Sequence, residues 1–157
     1  MAQCCSGGTK LIFACSGCAD VGEIADKTAR KLNKEGFAKM SCLAGLGANL
    51  SGFTASAKGA DKNITIDGCP IACAKKILEN NGLTPDSFIL TDFGFEKGKT
   101  DINEENINKA YSLIKEKIVI ENKGISDVKE VRDYKWIKGL SKQEDKGFGN
   151  EYKRNKH

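Results

Sequence analysis

The run Leu11-Ile12-Phe13-Ala14-Cys15 is apolar at every position, and this narrows the fold more than any other feature of the chain. A strand with one wet face alternates apolar and polar side chains. An unbroken apolar run of strand length needs cover on both faces, the condition met by strands of a parallel sheet. Such a sheet requires helical crossovers, so the residues between the runs must supply helices.

The remainder of the first 120 residues meets that requirement. Val21, Ile24, Ala25, Ala29 and Leu32 recur at helical spacing, which predicts a helix over 20–35 that opens on a capping pair, Asp20 and Glu23, and closes at Gly36. A second strand is expected over 38–43, followed by a plain turn at Ala44-Gly45-Leu46-Gly47 and a weaker helix over 49–58. A third strand, 63–67, ends in Gly68-Cys69-Pro70, where proline suits the first position of a helix carrying Ile71, Ala74 and Leu78 and ending at Gly82. A fourth strand is expected over 88–93 and a last helix from Asn103, with Ile107, Ala110, Tyr111, Ile114 and Ile118 inward. Alternating strands and helices joined by right-handed crossovers give an α/β fold, a small doubly wound and mostly parallel four-stranded sheet with helices on both faces.

Residues 1–9 carry no periodic pattern and read as a flexible lead-in, with the folded domain over 10–120. Residues 121–157 hold ten Lys or Arg against seven Asp or Glu, and their apolar residues (Val128, Val131, Trp136, Ile137, Phe148) are scattered, so they read as a charged, partly ordered extension. The longest apolar run has five residues. This is far below the roughly 20 that cross a bilayer as a helix, or the roughly 7–15 of a secretory signal. The expectation is a cytoplasmic protein that does not engage a membrane. A net charge of +4, with both signs interleaved along the chain, gives no support to nucleic-acid binding.

Seven cysteines in a chain without an export signal point away from a disulfide framework and toward metal binding or thiol chemistry. Cys15, Cys42 and Cys69 fall at or near the carboxyl ends of predicted parallel strands, the edge at which open α/β sheets bind ligands. Cys18 follows in the loop after Cys15, and Cys73 is expected one turn into the helix that Cys69 begins. Five thiols therefore converge on one edge. Zinc takes four ligands in a tetrahedron and favours thiolate sulfur, and helix amino termini beside the thiols are expected to lower their pKa values. A free cysteine often packs merely as a small hydrophobe. Here each of the five sits beside Gly, Ser or Pro or at a helix start rather than within an apolar face.

Other features carry less. Asp67 is placed either to cap the following helix or to act as a proton or hydrogen-bond acceptor beside the thiols. The Gly45-Leu46-Gly47 spacing fits neither a dinucleotide fingerprint nor a phosphate loop. The only histidine is His157, so the domain cannot assemble a Ser-His or Cys-His pair.

Three segments, Phe13-Ala14-Cys15-Ser16-Gly17, Met40-Ser41-Cys42-Leu43-Ala44-Gly45 and Ile66-Asp67-Gly68-Cys69-Pro70-Ile71-Ala72-Cys73-Ala74-Lys75, resemble those of the DGC-domain family of zinc-binding proteins, named for Asp67-Gly68-Cys69. The resemblance runs from about Lys10 to Lys99. It implies four chelating cysteines, which match Cys15, Cys42, Cys69 and Cys73, with Cys18 as a fifth thiol; Cys4 and Cys5 lie outside it. The expected function is zinc binding in a structural, carrier, buffering or sensing role, with no reaction of its own and with the metal ion, and an unidentified protein, as partners. Two alternatives stay open: thiol–disulfide exchange through Cys15 and Cys18, and an iron–sulfur cluster.

Overall fold

A computed structural model of the chain describes residues 8–123. The expectations for Cys4, Cys5 and the extension beyond residue 123 lie outside the described residues. Four strands, β1 (Lys10–Ala14), β2 (Lys39–Met40), β3 (Lys62–Asp67) and β4 (Asp86–Ile89), form one sheet in the order β2-β1-β3-β4, and every pairing is parallel. The helices are α1 (Asp20–Lys34), α2 (Leu43–Gly47), α3 (Ser51–Lys58), α4 (Cys73–Asn80) and α5 (Glu104–Lys123), with a 3₁₀ turn at Leu90–Phe93. The chain divides within α5 into two units, Met1–Lys117 and Ile118–His157; the sheet and all the cysteines discussed below belong to the first.

Alternation along the strands sorts the core into two layers. Leu11 and Phe13 pack with Leu46, Ala57 and Leu78 from α2, α3 and α4. Ile12, Ala14, Ile64 and Ile66 project to the other face, where α1 buries Val21, Ile24, Ala25, Ala29 and Leu32. On that face α5 lies beside α1, through Lys31 donating to Asn108 and Tyr111 donating to Glu35. Each such large aliphatic or aromatic side chain removed from water contributes about 1.5–3 kcal/mol, so both layers hold the sheet in place. The doubly wound architecture is as the sequence predicts. Among the described residues no helix is long and apolar enough to cross a membrane.

Four local expectations are corrected. Asp20 and Glu23 do not cap α1: Ala19 is the N-cap, the Asp20 carboxylate accepts from Gly98 N–H and Thr100 N–H, and Glu23 pairs with Lys27. β2 is short because Cys42 turns the chain into α2, its Sγ accepting Gly45 N–H at 3.3 Å; the expected plain turn is a five-residue helix. β4 stops at Ile89, opposite Asp67, because β3 offers no partner beyond that residue. Finally, Pro70 does not begin α4. Ala72 adopts a left-handed conformation (φ 53°), and the helix starts at Cys73.

Candidate metal centre

In the sheet order β2-β1-β3-β4 the chain winds outward from β1 to β2, then crosses back to β3 on the other side of β1. Between the carboxyl ends of β1 and β3 lies the topological switch point, the crevice where doubly wound folds take ligands. Cys15 follows β1 directly, and Cys69 comes two residues after β3. Cys42 follows the neighbouring β2, Cys18 lies in the loop from β1 to α1, and Cys73 is the first residue of α4. All five are free thiols, Cys15 and Cys69 half-buried and the other three exposed. None is buried, so packing as core hydrophobes does not account for them.

The backbone around Cys15 is held under unusual constraint. Gly68 sits so close to the start of α1 that a Cβ there would lie 2.7 Å from Gly22 N and 2.7 Å from Val21 C. A Cβ on Gly22 would in turn meet Gly17 O at 2.8 Å. These close approaches aim two N–H groups at one sulfur: Gly68 N–H donates to Cys15 Sγ at 3.3 Å, and Gly17 N–H is the other donor. Ser16 lies between Cys15 and Gly17 at a positive φ (40°), with its hydroxyl fixed by donation to Asp26 at 2.8 Å. Ala72, before Cys73, is likewise left-handed. Two of the three non-glycine residues with positive φ among those described thus adjoin cysteines of this edge. Such strain costs on the order of 1–3 kcal/mol and concentrates at functional sites.

Asp67 resolves in favour of capping, at long range. Its buried carboxylate accepts Ala74 N–H at 2.8 Å and Lys75 N–H at 3.1 Å, the second and third residues of α4. Burial pushes the Asp67 carboxyl above its ordinary range, against the lowering effect of those two donors. With Asp67 in place, the positive end of α4 is already matched by a carboxylate.

Helix amino termini were expected to lower the thiol pKa values, and at Cys15 the reverse holds. Burial pushes this thiol up; the Gly17 and Gly68 N–H groups oppose that, while the nearby Asp67 carboxylate and Cys73 thiol add to it. Cys69 receives Lys97, whose Nζ is 3.9 Å from its Sγ. Cys18 lines an open cavity of about 540 Å³ together with Asp20, Lys97 and Ile102.

The structure therefore brings all five predicted cysteines to one edge, but it does not close them around a point. Among the described residues, no group of three or more His, Cys, Asp or Glu side chains is arranged to hold a metal ion. Cys42 follows β2 and Cys69 follows β3, the strands on either side of β1. In donor type and number the residues fit a thiolate-bound ion.

Sequence reasoning missed Lys97 and the loop that carries it. Its one signal was the glycine punctuation at Gly94 and Gly98, both of which take positive φ (85° and 82°).

A family model described as the DGC domain matches residues 11–114. A protein of Pseudomonas aeruginosa named "Anaerobic and virulence modulator AnvM" is 33% identical over 88 residues, spanning 55% of this chain and 67% of that protein. No solved structure matches the chain.

Proposed function

The chain belongs to the DGC-domain family, and from that premise we propose that it is a cytoplasmic zinc-binding protein whose clustered thiolates hold the ion at the carboxyl edge of the sheet. The ligands in this reading are Cys15, Cys42, Cys69 and Cys73, with Cys18 as the accessory fifth thiol. The observation that carries it is the direction of the hydrogen bonds at the sulfurs. Cys15 accepts from Gly68 and Gly17, Cys42 accepts from Gly45, and Cys69 faces the Lys97 ammonium. A sulfur that accepts such a bond can keep it as a thiolate while binding a cation through its other lone pairs.

Zinc held by four thiolates supplies a closed centre with no open position for a hydrolytic water. The chain's own part would be to present Cys15, Cys42, Cys69 and Cys73 at one sheet edge and to hold Cys15 with the Gly17 and Gly68 amides. The raised pKa of Cys15 means that binding at neutral pH displaces its proton, so affinity rises with pH.

Thiol–disulfide exchange through Cys15 and Cys18 is less favoured. An attacking thiol in such a motif has its pKa lowered, whereas burial pushes Cys15 up. The relative from Pseudomonas is named a modulator, and carrying or sensing a metal is compatible with such a role in this chain.

Single Cys→Ser substitutions test the reading, with zinc affinity measured by competition against a chromogenic chelator. C15S, C42S, C69S and C73S should each weaken binding sharply, with C18S weaker in effect. If C18S is as damaging as C69S while C42S is silent, the ligands are two close-spaced pairs and the assignment of Cys42 is wrong.

A further inference from the structure

We propose that Lys97 is the charge-compensating residue of the thiolate cluster, a positioning residue whose ammonium offsets part of the negative charge on the sulfurs and so sets how tightly they hold a cation. The inference rests on the reading of the cluster as a metal centre and adds a determinant of its affinity from outside the cysteine motifs.

Lys97 is delivered by a loop built to one shape. Gly94 and Gly98 supply positive φ at its two bends. Within the loop, Glu96 N–H donates to Thr100 Oγ1 at 2.9 Å and the Thr100 hydroxyl donates back to Glu96 O at 2.9 Å. From outside, the Asp20 carboxylate accepts Gly98 N–H at 2.8 Å and Thr100 N–H at 2.9 Å. Asp20 is the first residue of α1 and lies two residues after Cys18. One carboxylate thereby ties the Cys15–Cys18 loop to the loop bearing the lysine.

The two lysines of this loop have different partners. Lys99 pairs with Glu96 at 2.8 Å, whereas Lys97 sends its Nζ to 3.9 Å from Cys69 Sγ, within the longer reach of a hydrogen bond to sulfur. Four thiolates around a divalent ion leave a net charge of about −2, and like charges gathered at one edge repel one another. An ammonium beside one sulfur lowers that cost without occupying a coordination position. It also donates to the sulfur, the kind of outer contact that tunes a metal–thiolate bond. Because Lys97 is exposed, the effect should be moderate and screened by salt.

The test compares full-length wild type with K97Q, K97E and K97R. Zinc affinity is read by chelator competition, the sulfur-to-metal charge-transfer band is read in the cobalt-loaded protein, and the melting of metal-stripped protein serves as the structural control. The expected result is roughly tenfold weaker zinc binding in K97Q, a larger loss in K97E, recovery in K97R, and a shifted cobalt band in K97Q. The stripped proteins should melt alike, and the loss should shrink as salt is raised to about 1 M. Wild-type affinity in both K97Q and K97E overturns the inference, as does a loss that K97R fails to restore or that follows a lowered melting temperature. If the wild type itself takes up neither zinc nor cobalt, the metal reading of the cluster fails first and this inference fails with it.

Discussion

Replacing Gly68 with Ala tests whether the close approach of β3 to α1 is what shapes the thiol edge. The added Cβ would stand 2.7 Å from Gly22 N, 2.7 Å from Val21 C and 2.8 Å from Val21 O, all backbone atoms that no side-chain rotation can move away. Gly68 does not need a positive φ, so alanine is conformationally permitted and the clash is the main cost. Overpacking of this kind costs about 1–3 kcal/mol. The lower entropy of alanine in the unfolded chain returns about 0.4–1 kcal/mol. A net loss of about 1–2 kcal/mol remains, on the order of 5 °C in melting temperature for a domain of this size. The Gly68 N–H that donates to Cys15 should move as well, so zinc affinity should fall together with stability. Two controls have open space where the Cβ would go: G17A, in the same edge, and G52A, in α3. Thermal melts should rank G68A well below wild type, G17A close to it and G52A slightly above, since alanine is favoured over glycine within a helix by about 0.5–1 kcal/mol. Wild-type melting in G68A would refute the claim that backbone contact, rather than loop sequence alone, fixes this edge.

Further expectations follow from individual contacts. D67A leaves the Ala74 and Lys75 N–H groups without their acceptor and should cost about 1–3 kcal/mol in urea denaturation, in proportion to the burial of that cap. Because folding raises the Asp67 pKa, its contribution is fully present below the unfolded value and is lost as pH rises through the folded one; the advantage of wild type over D67N should therefore be largest in acid. Asp20 has the opposite sign. The Gly98 N–H in first place holds its pKa down, so the advantage of wild type over D20N should be present above the ordinary carboxylate range and vanish as pH falls through the depressed folded value. Melting curves of both variants from about pH 3 to pH 7 should diverge in opposite directions, and parallel behaviour would contradict the assignment. Ending the chain after Lys123 should leave zinc content unchanged, because Cys15, Cys18, Cys42, Cys69 and Cys73 all lie in the first unit; metal analysis of that truncation would detect any loss.

The architecture was legible because it rests on pattern. The all-apolar Leu11–Cys15 run, the α1 periodicity and the terminating glycines Gly36 and Gly82 each imposed a local choice that tertiary packing left intact. The placement of five cysteines at the carboxyl edge followed from topology alone. What the sequence concealed depends on contacts between distant segments. Asp20 has the composition of a capping residue, but its acceptor capacity is taken by Gly98 and Thr100, nearly eighty residues away. Pro70 has the look of a helix start, yet the left-handed Ala72 and the carboxylate of Asp67 set the start of α4 at Cys73. Lys97 carries no motif, and its relation to Cys69 exists only once the 94–100 loop is folded against α1. At Cys15, burial and the Asp67 charge outweigh the amide donors beside the thiol, and neither is visible in the local sequence.

Metal content per chain tests the central claim most directly. Untagged protein purified without chelator from a zinc-replete culture should carry about one zinc per chain by elemental analysis, remain colourless, and release the ion when its thiols are titrated with a mercurial reagent. Metal-free protein under those conditions, or a visible absorption band with iron in place of zinc, would contradict it.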